Sequence, residues 1–113
     1  MTVQRGDVVI VDFDELEAAS MTKQRPAVVI QNNVANRLAG HTIVAAVRND
    51  GGKRLPVQVP LPAGTGGLRK DSLADLGHLS TLPLGDIKGV IGRLTPEMML
   101  QVDTALKVSL ALR

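Results

Sequence analysis

With 113 residues, 44% of them hydrophobic, and no cysteine, the chain suits a single domain over residues 1–113 and excludes disulfides and thiolate metal sites. One aromatic residue, Phe13, excludes a module that stacks successive bases on rings, while the lack of a signal peptide or of an apolar run of about 18 residues predicts a cytoplasmic protein. The net charge of +2 conceals a strong segregation, because residues 23–70 hold eight Lys or Arg against one acidic residue, Asp50.

The first half of the chain predicts three strands. Residues 7–13 are rich in β-branched side chains and form the first strand, and an acidic loop of about ten residues follows. Residues 26–31 form the second strand, because Pro26 has no N–H for a ladder and therefore starts a strand or lies at an edge. Turn-forming residues over 32–40 then lead to a nearly continuously apolar third strand over residues 41–47.

The next segment predicts shorter strands joined by turns. Residues 48–54 contain Asp50 followed by Gly51, a pair that closes hairpins, so residues 55–61 are expected to return as a proline-interrupted edge strand. Beyond this strand, residues 62–67 indicate a flexible connection and residues 72–76 a short strand. Residues 77–86 indicate an irregular segment, and residues 88–94 a strand that is bent because it contains glycines.

The C-terminal segment has the period of a helix. Thr95 suits the N-cap, Pro96 suits the first helical position, and Glu97 in the first turn favours the helix dipole. Apolar residues then recur at helical spacing, at Met99, Val102, Leu106 and Leu110. The predicted fold class is therefore α+β and mainly β, a small antiparallel barrel or sheet with a C-terminal helix packed on it.

The common metal and nucleotide sites are not indicated by the sequence. Neither His41 nor His78 is followed by a partner three or four residues later, as a zinc site on a helix requires. The stretch GTGGLRK that begins at Gly64 lacks the strand, spacing and helix of a phosphate loop. We therefore expect no metal and no cofactor.

Arg25 is the residue that most suggests chemistry. It directly precedes Pro26, whose ring biases it to an extended conformation. The planar guanidinium suits a phosphate that gains charge as it becomes pentacoordinate. RNA supplies its own nucleophile, the 2′-hydroxyl, so an enzyme needs to supply only positioning, charge stabilisation and proton transfer. The alternative that Arg25 only pairs with the acidic loop stays open at this point.

Six stretches of the chain together resemble a known family. They read RGDVVIVDF, RPAVVIQNNVANR, TIVAAV, LPVQV, LRKDSLADL and IGRLTPEMMLQVDTALKVSLAL. From Arg5 to Leu112 the chain resembles the MazF/PemK/Kid family of bacterial toxins. The resemblance implies an SH3-like antiparallel β-barrel of the plasmid-toxin type and a homodimer. It also implies a metal-independent, sequence-specific endoribonuclease that leaves a 2′,3′-cyclic phosphate, and a cognate antitoxin with a disordered acidic tail.

The resemblance also implies a set of site residues. Arg25 stands at the position of the family's essential arginine, whereas the position of the Thr or Ser that works with it is Arg48. A segment that reads Gln-Ile-Arg-Thr in many relatives is HLST here, so His78 replaces the glutamine and Thr81 is kept. We expect Arg25, His78 and Thr81 to be catalytic, with His78 or a loop carboxylate in the proton role because histidine suits proton transfer near neutrality. The expected RNA contacts are Lys23, Gln24, Arg48, Asn49, Lys53, Arg54, Arg69, Lys70 and Ser80.

Two alternatives to a nuclease stay open. One is a gyrase-binding poison that resembles CcdB, which shares the barrel but acts through the end of its C-terminal helix. The other is a dimer without catalysis that binds antitoxin as a decoy, an interpretation motivated by Arg48 at the hydroxyl position.

Overall fold

The computed structural model describes residues 2–12 and 24–113. Phe13, Lys23 and the acidic loop predicted between them lie outside the described residues. The strands are β1 Asp7–Asp12, β2 Gln24–Val29, β3 His41–Asn49, β4 Gln58–Leu61, β5 Ser72–Pro83 and β6 Ile87–Arg93. The helices are α1 Asn33–Leu38 and α2 Pro96–Leu110.

The six strands form one antiparallel sheet in the order β4-β5-β3-β2-β1-β6. With α2 packed against it, this sheet confirms the predicted α+β class. β4 lies at an edge, as its prolines predicted, but the expected hairpin between β3 and β4 is wrong. β5 lies between them and pairs with both. The Asp50 carboxylate instead accepts hydrogen bonds from Gly52 N and Arg54 Nη2, at 3.0 and 2.9 Å, which closes a local turn within the longer connection.

β5 is much longer than the predicted strand over residues 72–76, so the irregular segment expected over 77–86 is wrong for residues 77–83, and only residues 84–86 form a turn outside the strands. The register against β3 shifts between Ala45 and Ala46, whose partners are Leu79 and Asp75. Residues 76–78 are therefore an insertion in β5, a bulge, after which the strand resumes and pairs as far as Pro83. The glycine and polar residues in this stretch belong to the bulge and to the exposed face of a strand.

α1 occupies part of the segment predicted as a turn over residues 32–40. Asn32 caps it, because its side chain accepts a hydrogen bond from Ala35 N at 2.9 Å. Buried Asn36 donates to Gln31 O at 3.0 Å and accepts from Thr42 Oγ1 at 2.7 Å. Those partners lie outside α1, so the stability of this short helix depends on tertiary contacts. The residue composition of the segment, which is typical of turns, does not predict it.

The turn before β5 packs against β6, an edge strand of the sheet. Among the described strands, β4 does not pair with β6, and the sheet stays open in its hydrogen bonding. The turn instead contacts the backbone of β6. A Cβ added at Gly67 would lie 2.2 Å from Ile91 O, and one added at Gly92 would lie 2.4 Å from Gly66 C. The glycines thus let the turn approach β6 closely.

α2 begins as predicted. Thr95 is its N-cap, with Oγ1 accepting from Met98 N at 3.2 Å, and Pro96 is its first residue. Val102 and Ala105 of α2 are buried in a core with Val28 and Leu76 of the sheet. Within the part of the chain described, no helix has the length and apolar character needed to cross a bilayer.

Candidate active site

A surface groove of about 280 Å³ lies where β2 and β3 separate. Its lining residues are Arg25, Pro26, Val47, Arg48, Asn49 and Ser72. Three of them, Arg25, Arg48 and Asn49, were predicted as site residues from the sequence. Ser72 was not, because its place beside Asn49 depends on the pairing of β5 with β3. Its hydroxyl donates to Lys70 O at 2.9 Å.

Pro26 explains why the strands separate there. The last paired residues of β2 and β3 are Ala27 and Ala46. Ile30 N donates to Ile43 O at 2.9 Å, so the even-numbered residues of β2 direct their backbone groups toward β3. The next hydrogen bond from β2 to β3 would be donated by the backbone N–H of residue 26. That residue is Pro26, which has no N–H. β2 continues beyond this point paired with β1 only, up to Gln24 opposite Asp12.

The groove is flanked by two arginines. Arg25 is exposed and lies opposite Val11 of β1. If the β2–β3 register continued past Ala27, the partner of Arg25 would be Arg48. Both residues line the groove where the ladder opens, so two guanidinium groups are available to one bound phosphate.

Arg48 is bound to β5 at two of its nitrogens. Its Nε donates to Asp75 Oδ2 at 2.8 Å, and its Nη2 lies 2.6 Å from His78 Nδ1. The other carboxylate oxygen of Asp75 accepts from Gly77 N at 3.0 Å. Burial raises the pKa of Asp75, but hydrogen bonds from Arg48, Gly77 and Gln58 outweigh it, and the pKa lies below its ordinary value. Asp75 is therefore a charged anchor for Arg48.

The other predicted cations lie around the groove rather than in it. Lys53 and Arg54 are exposed on the connection that follows β3, and Arg69 and Lys70 are exposed just before β5. Arg54 pairs with Asp50 at 2.9 Å. The hydrogen bond from Gly52 N, followed by that from Arg54, lowers the pKa of Asp50.

The remaining predicted residues are less close together. Gln24 is exposed at the start of β2, next to Arg25, and Lys23 lies outside the described residues. Ser80 and Thr81 pair with Val44 and Ile43 of β3. Since Ile43 is five residues from Arg48 along β3, Thr81 is about 16 Å along the sheet from the groove. The catalytic role expected for Thr81 stays a prediction that this placement does not favour.

Comparison with known proteins identifies relatives over nearly the whole chain. A family model described as PemK-like, MazF-like toxin of type II toxin-antitoxin system matches residues 4–110. The chain is 37% identical over 113 residues to Endoribonuclease EndoA of Bacillus subtilis (strain 168), covering 99% of this chain and 97% of that protein. It is 32% identical over 111 residues to Endoribonuclease MazF of Staphylococcus epidermidis, covering 97% and 92%.

Solved structures match the fold. An endoribonuclease in complex with its cognate antitoxin from Mycobacterial species superposes with a TM-score of 0.82 at 20% identity, covering 99% of this chain and 98% of that one. MazE-MazF from Deinococcus radiodurans superposes with a TM-score of 0.77 at 19% identity, covering 100% and 99%. At these identities the likeness concerns the fold, an antiparallel sheet with one long C-terminal helix.

Proposed function

Because this chain belongs to the family of PemK-like, MazF-like toxins of type II toxin-antitoxin systems, we propose that it is an endoribonuclease that cleaves single-stranded RNA in the groove between Arg25 and Arg48. The products are a 2′,3′-cyclic phosphate and a 5′-hydroxyl, and no metal takes part. The observation that carries the proposal is that two arginines, Arg25 and Arg48, line one groove of about 280 Å³. The relatives named endoribonucleases favour RNA over the gyrase alternative.

The chemistry assigns each arginine a role. The substrate's 2′-hydroxyl gives its proton to water as its oxygen attacks the adjacent phosphorus. The bond from phosphorus to the 5′-oxygen breaks, and that oxygen takes a proton from water to become the 5′-hydroxyl. Negative charge grows on the non-bridging oxygens of the pentacoordinate phosphorus, and the planar fork of Arg25 stabilises it. Arg48, held in place by Asp75 at 2.8 Å, is a second donor to the same phosphate. A guanidinium fixed before the substrate arrives loses little further freedom on binding.

The surrounding cations extend the binding surface for RNA. Lys53, Arg54, Arg69 and Lys70 contact backbone phosphates on either side of the scissile one, and binding releases counterions from the RNA. Translation would be inhibited by cleavage of messenger RNA, which places the activity in the cytoplasm.

The proposed protein partners are an antitoxin and a second copy of this chain. An antitoxin with an acidic tail would occupy the same cationic groove and block it. Exposed apolar side chains supply surface for a homodimer, at Val90 and Ile91 on β6 and at Leu100, Val108 and Leu110 on α2. Light scattering on the purified protein checks the dimer, because a monomeric mass at micromolar concentration contradicts it.

A cleavage assay tests the proposed function. Wild type and Arg25→Ala are incubated with a mixed-sequence single-stranded RNA in EDTA. Arg37→Ala is the matched control, since Arg37 is an exposed arginine on α1 that does not line the groove. We expect wild type and Arg37→Ala to cut at the same sites and Arg25→Ala to lose cleavage. Equal cutting by all three proteins contradicts the assignment of the groove.

The non-catalytic decoy stays a second candidate because Arg48 stands where the resemblance to the family implies a Thr or Ser. Induced expression separates the two functions. Growth arrest with cut RNA supports the nuclease, and normal growth with intact RNA and tight antitoxin binding supports the decoy.

A further inference from the structure

Asp75 was not among the predicted site residues, yet it anchors a chain of contacts that runs from β5 through Arg48 to His78. We infer that Asp75 is a positioning residue, which acts through Arg48 to hold His78 as a neutral imidazole with its proton on Nε2. His78 is thereby a hydrogen-bond donor that reads a base next to the scissile phosphate. The identity of the ligand rests on the proposed function, whereas the state of the imidazole does not.

The tautomer of His78 follows from the fact that an arginine side chain can only donate hydrogen bonds. A guanidinium has five N–H groups and no acceptor, so Nη2 of Arg48 can bond His78 Nδ1 at 2.6 Å only if Nδ1 carries no proton. The proton of the neutral ring must then be on Nε2. An imidazolium would direct a second N–H and a second positive charge at Arg48. In this arrangement His78 has no free lone pair to abstract a proton, so it is a donor and does not act as the general base expected from the sequence.

Asp75 keeps the guanidinium in the orientation that this contact needs. Its carboxylate bonds Nε of Arg48 at 2.8 Å and the backbone of Gly77 at 3.0 Å, and the residue is only 8% exposed. The bulge at residues 76–78 brings His78 to the same guanidinium. One arginine is thus held through two nitrogens by two residues of β5, and Nη1 is outside these contacts and available to the groove.

The position of His78 indicates what its Nε2–H contacts. His78 is exposed and does not line the groove, but it touches Arg48, which does. It therefore lies at the rim on the β5 side, where the nucleotide adjoining the bound phosphate passes. Sequence-specific recognition of single-stranded RNA uses hydrogen bonds to the edges of unstacked bases. A neutral N–H suits a carbonyl oxygen or ring nitrogen of a base, whereas the arginines suit phosphate.

Long-range ¹H–¹⁵N correlation spectra of the two imidazoles test the inference without RNA. His41 is the internal reference, and His78→Gln assigns the signals because the chain has two histidines. We expect His78 at neutral pH to show one tautomer, protonated on Nε2. Both Arg48→Met and Asp75→Asn should convert it to an averaging mixture. A proton on Nδ1 in wild type overturns the inference, as does an unchanged His78 spectrum in Arg48→Met, which keeps the Asp75 side chain intact.

A random-sequence RNA library tests the recognition step. Cleaved ends are sequenced for wild type, His78→Phe, His78→Gln and the control His41→Gln. We expect His78→Phe to lower the preference at one flanking position by about threefold to tenfold, the value of one hydrogen bond. His78→Gln keeps an N–H donor and should retain more of that preference. An unchanged profile in His78→Phe overturns the recognition role. Wild type that cuts no RNA overturns the proposed function instead, and the spectra still decide the tautomer.

Discussion

Arg48 donates from Nε to Oδ2 of Asp75 over 2.8 Å, so a residue on β3 is anchored by a carboxylate on β5 at the wall of the groove. An unanchored arginine on the wall of the groove would have many conformations. The Arg48 side chain is 48% exposed, but the bond to Asp75 orients it. The contact with Asp75 therefore gives the groove one fixed cation.

The first prediction concerns Pro26. Replacing it with alanine supplies the missing N–H opposite Val47, which allows the β2–β3 ladder to extend and the groove to narrow. One extra hydrogen bond offsets the entropy that proline removes from the unfolded chain, so stability should change by less than about 1 kcal/mol. RNA cleavage by Pro26→Ala should fall several-fold, and the new backbone amide at position 26 should be protected from hydrogen exchange.

Pro60→Ala, a strand proline outside the groove, is the matched control and should leave cleavage unchanged. Rapid exchange of the new amide at position 26 together with normal cleavage would show that the proline does not hold the groove open.

The second prediction concerns the pH dependence of stability. The folded-state pKa of Asp75 is lowered, so the stability from its charge is present above the unfolded-state pKa of about 3.9 and is lost as the pH falls through the folded-state value. Asp75→Asn should therefore cost about 1.5–3 kcal/mol at pH 7, a range for hydrogen bonds to a charged group. The cost should shrink at acid pH.

Urea unfolding at pH 7 and pH 3 measures this difference. Asp103→Asn is the control, because Asp103 pairs with Arg5 at the surface and should cost less than about 1 kcal/mol. A cost for Asp75→Asn that is equal at both pH values refutes the charged anchor.

The third prediction concerns the contact of β6 with the turn before β5. Gly64 and Gly67 have φ angles of 93° and 83°, but only at Gly67 does an added Cβ meet backbone, the Ile91 carbonyl oxygen at 2.2 Å. Gly64→Ala should cost about 1–2 kcal/mol from the left-handed conformation alone. Gly67→Ala should cost more, because β6 must also move. Thermal unfolding compares the two variants, and equal losses would mean that the turn does not press on β6.

The fourth prediction concerns salt. If Arg69 and Lys70 each contact an RNA phosphate, their double replacement by alanine should reduce the slope of log K against log salt by about 1.4, at 0.7 per contact for a single strand. The control replaces Lys107 and Arg113, cations at the C-terminal end of the chain that are not among the expected RNA contacts. Binding titrations with uncleavable RNA measure the slope. If the double variant has the same slope as wild type, Arg69 and Lys70 do not contact the RNA.

The features predicted correctly from the sequence are those that depend on residues adjacent to one another in the chain. Thr95 and Pro96 marked the start of α2, and Pro26 singled out Arg25 through the extended conformation that its ring favours. The sequence did not reveal α1, whose buried Asn36 depends on partners from other elements. It also placed β4 beside β3, because Asp50 and Gly51 favour a hairpin while the actual partner, β5, comes later in the chain.

The site was predicted in part for the same reason. Arg25 is identified by its neighbour in sequence, but the contacts among Arg48, Asp75 and His78 join two strands across a bulge. The bulge carries three extra residues, and no residue pattern in that stretch shows where the register shifts. Asp75 and Ser72 therefore had no signal that distinguished them from ordinary strand residues.

The most direct measurement uses two RNA oligonucleotides of one cleavable sequence, one all-ribose and one with a single 2′-deoxy sugar before the scissile phosphate. We expect the purified protein in EDTA to cut only the all-ribose strand, leaving a 2′,3′-cyclic phosphate, and Arg25→Ala to cut it about 100- to 1,000-fold more slowly. Cutting of the 2′-deoxy strand at that site, or equal rates for wild type and Arg25→Ala, would contradict phosphate cleavage by the groove.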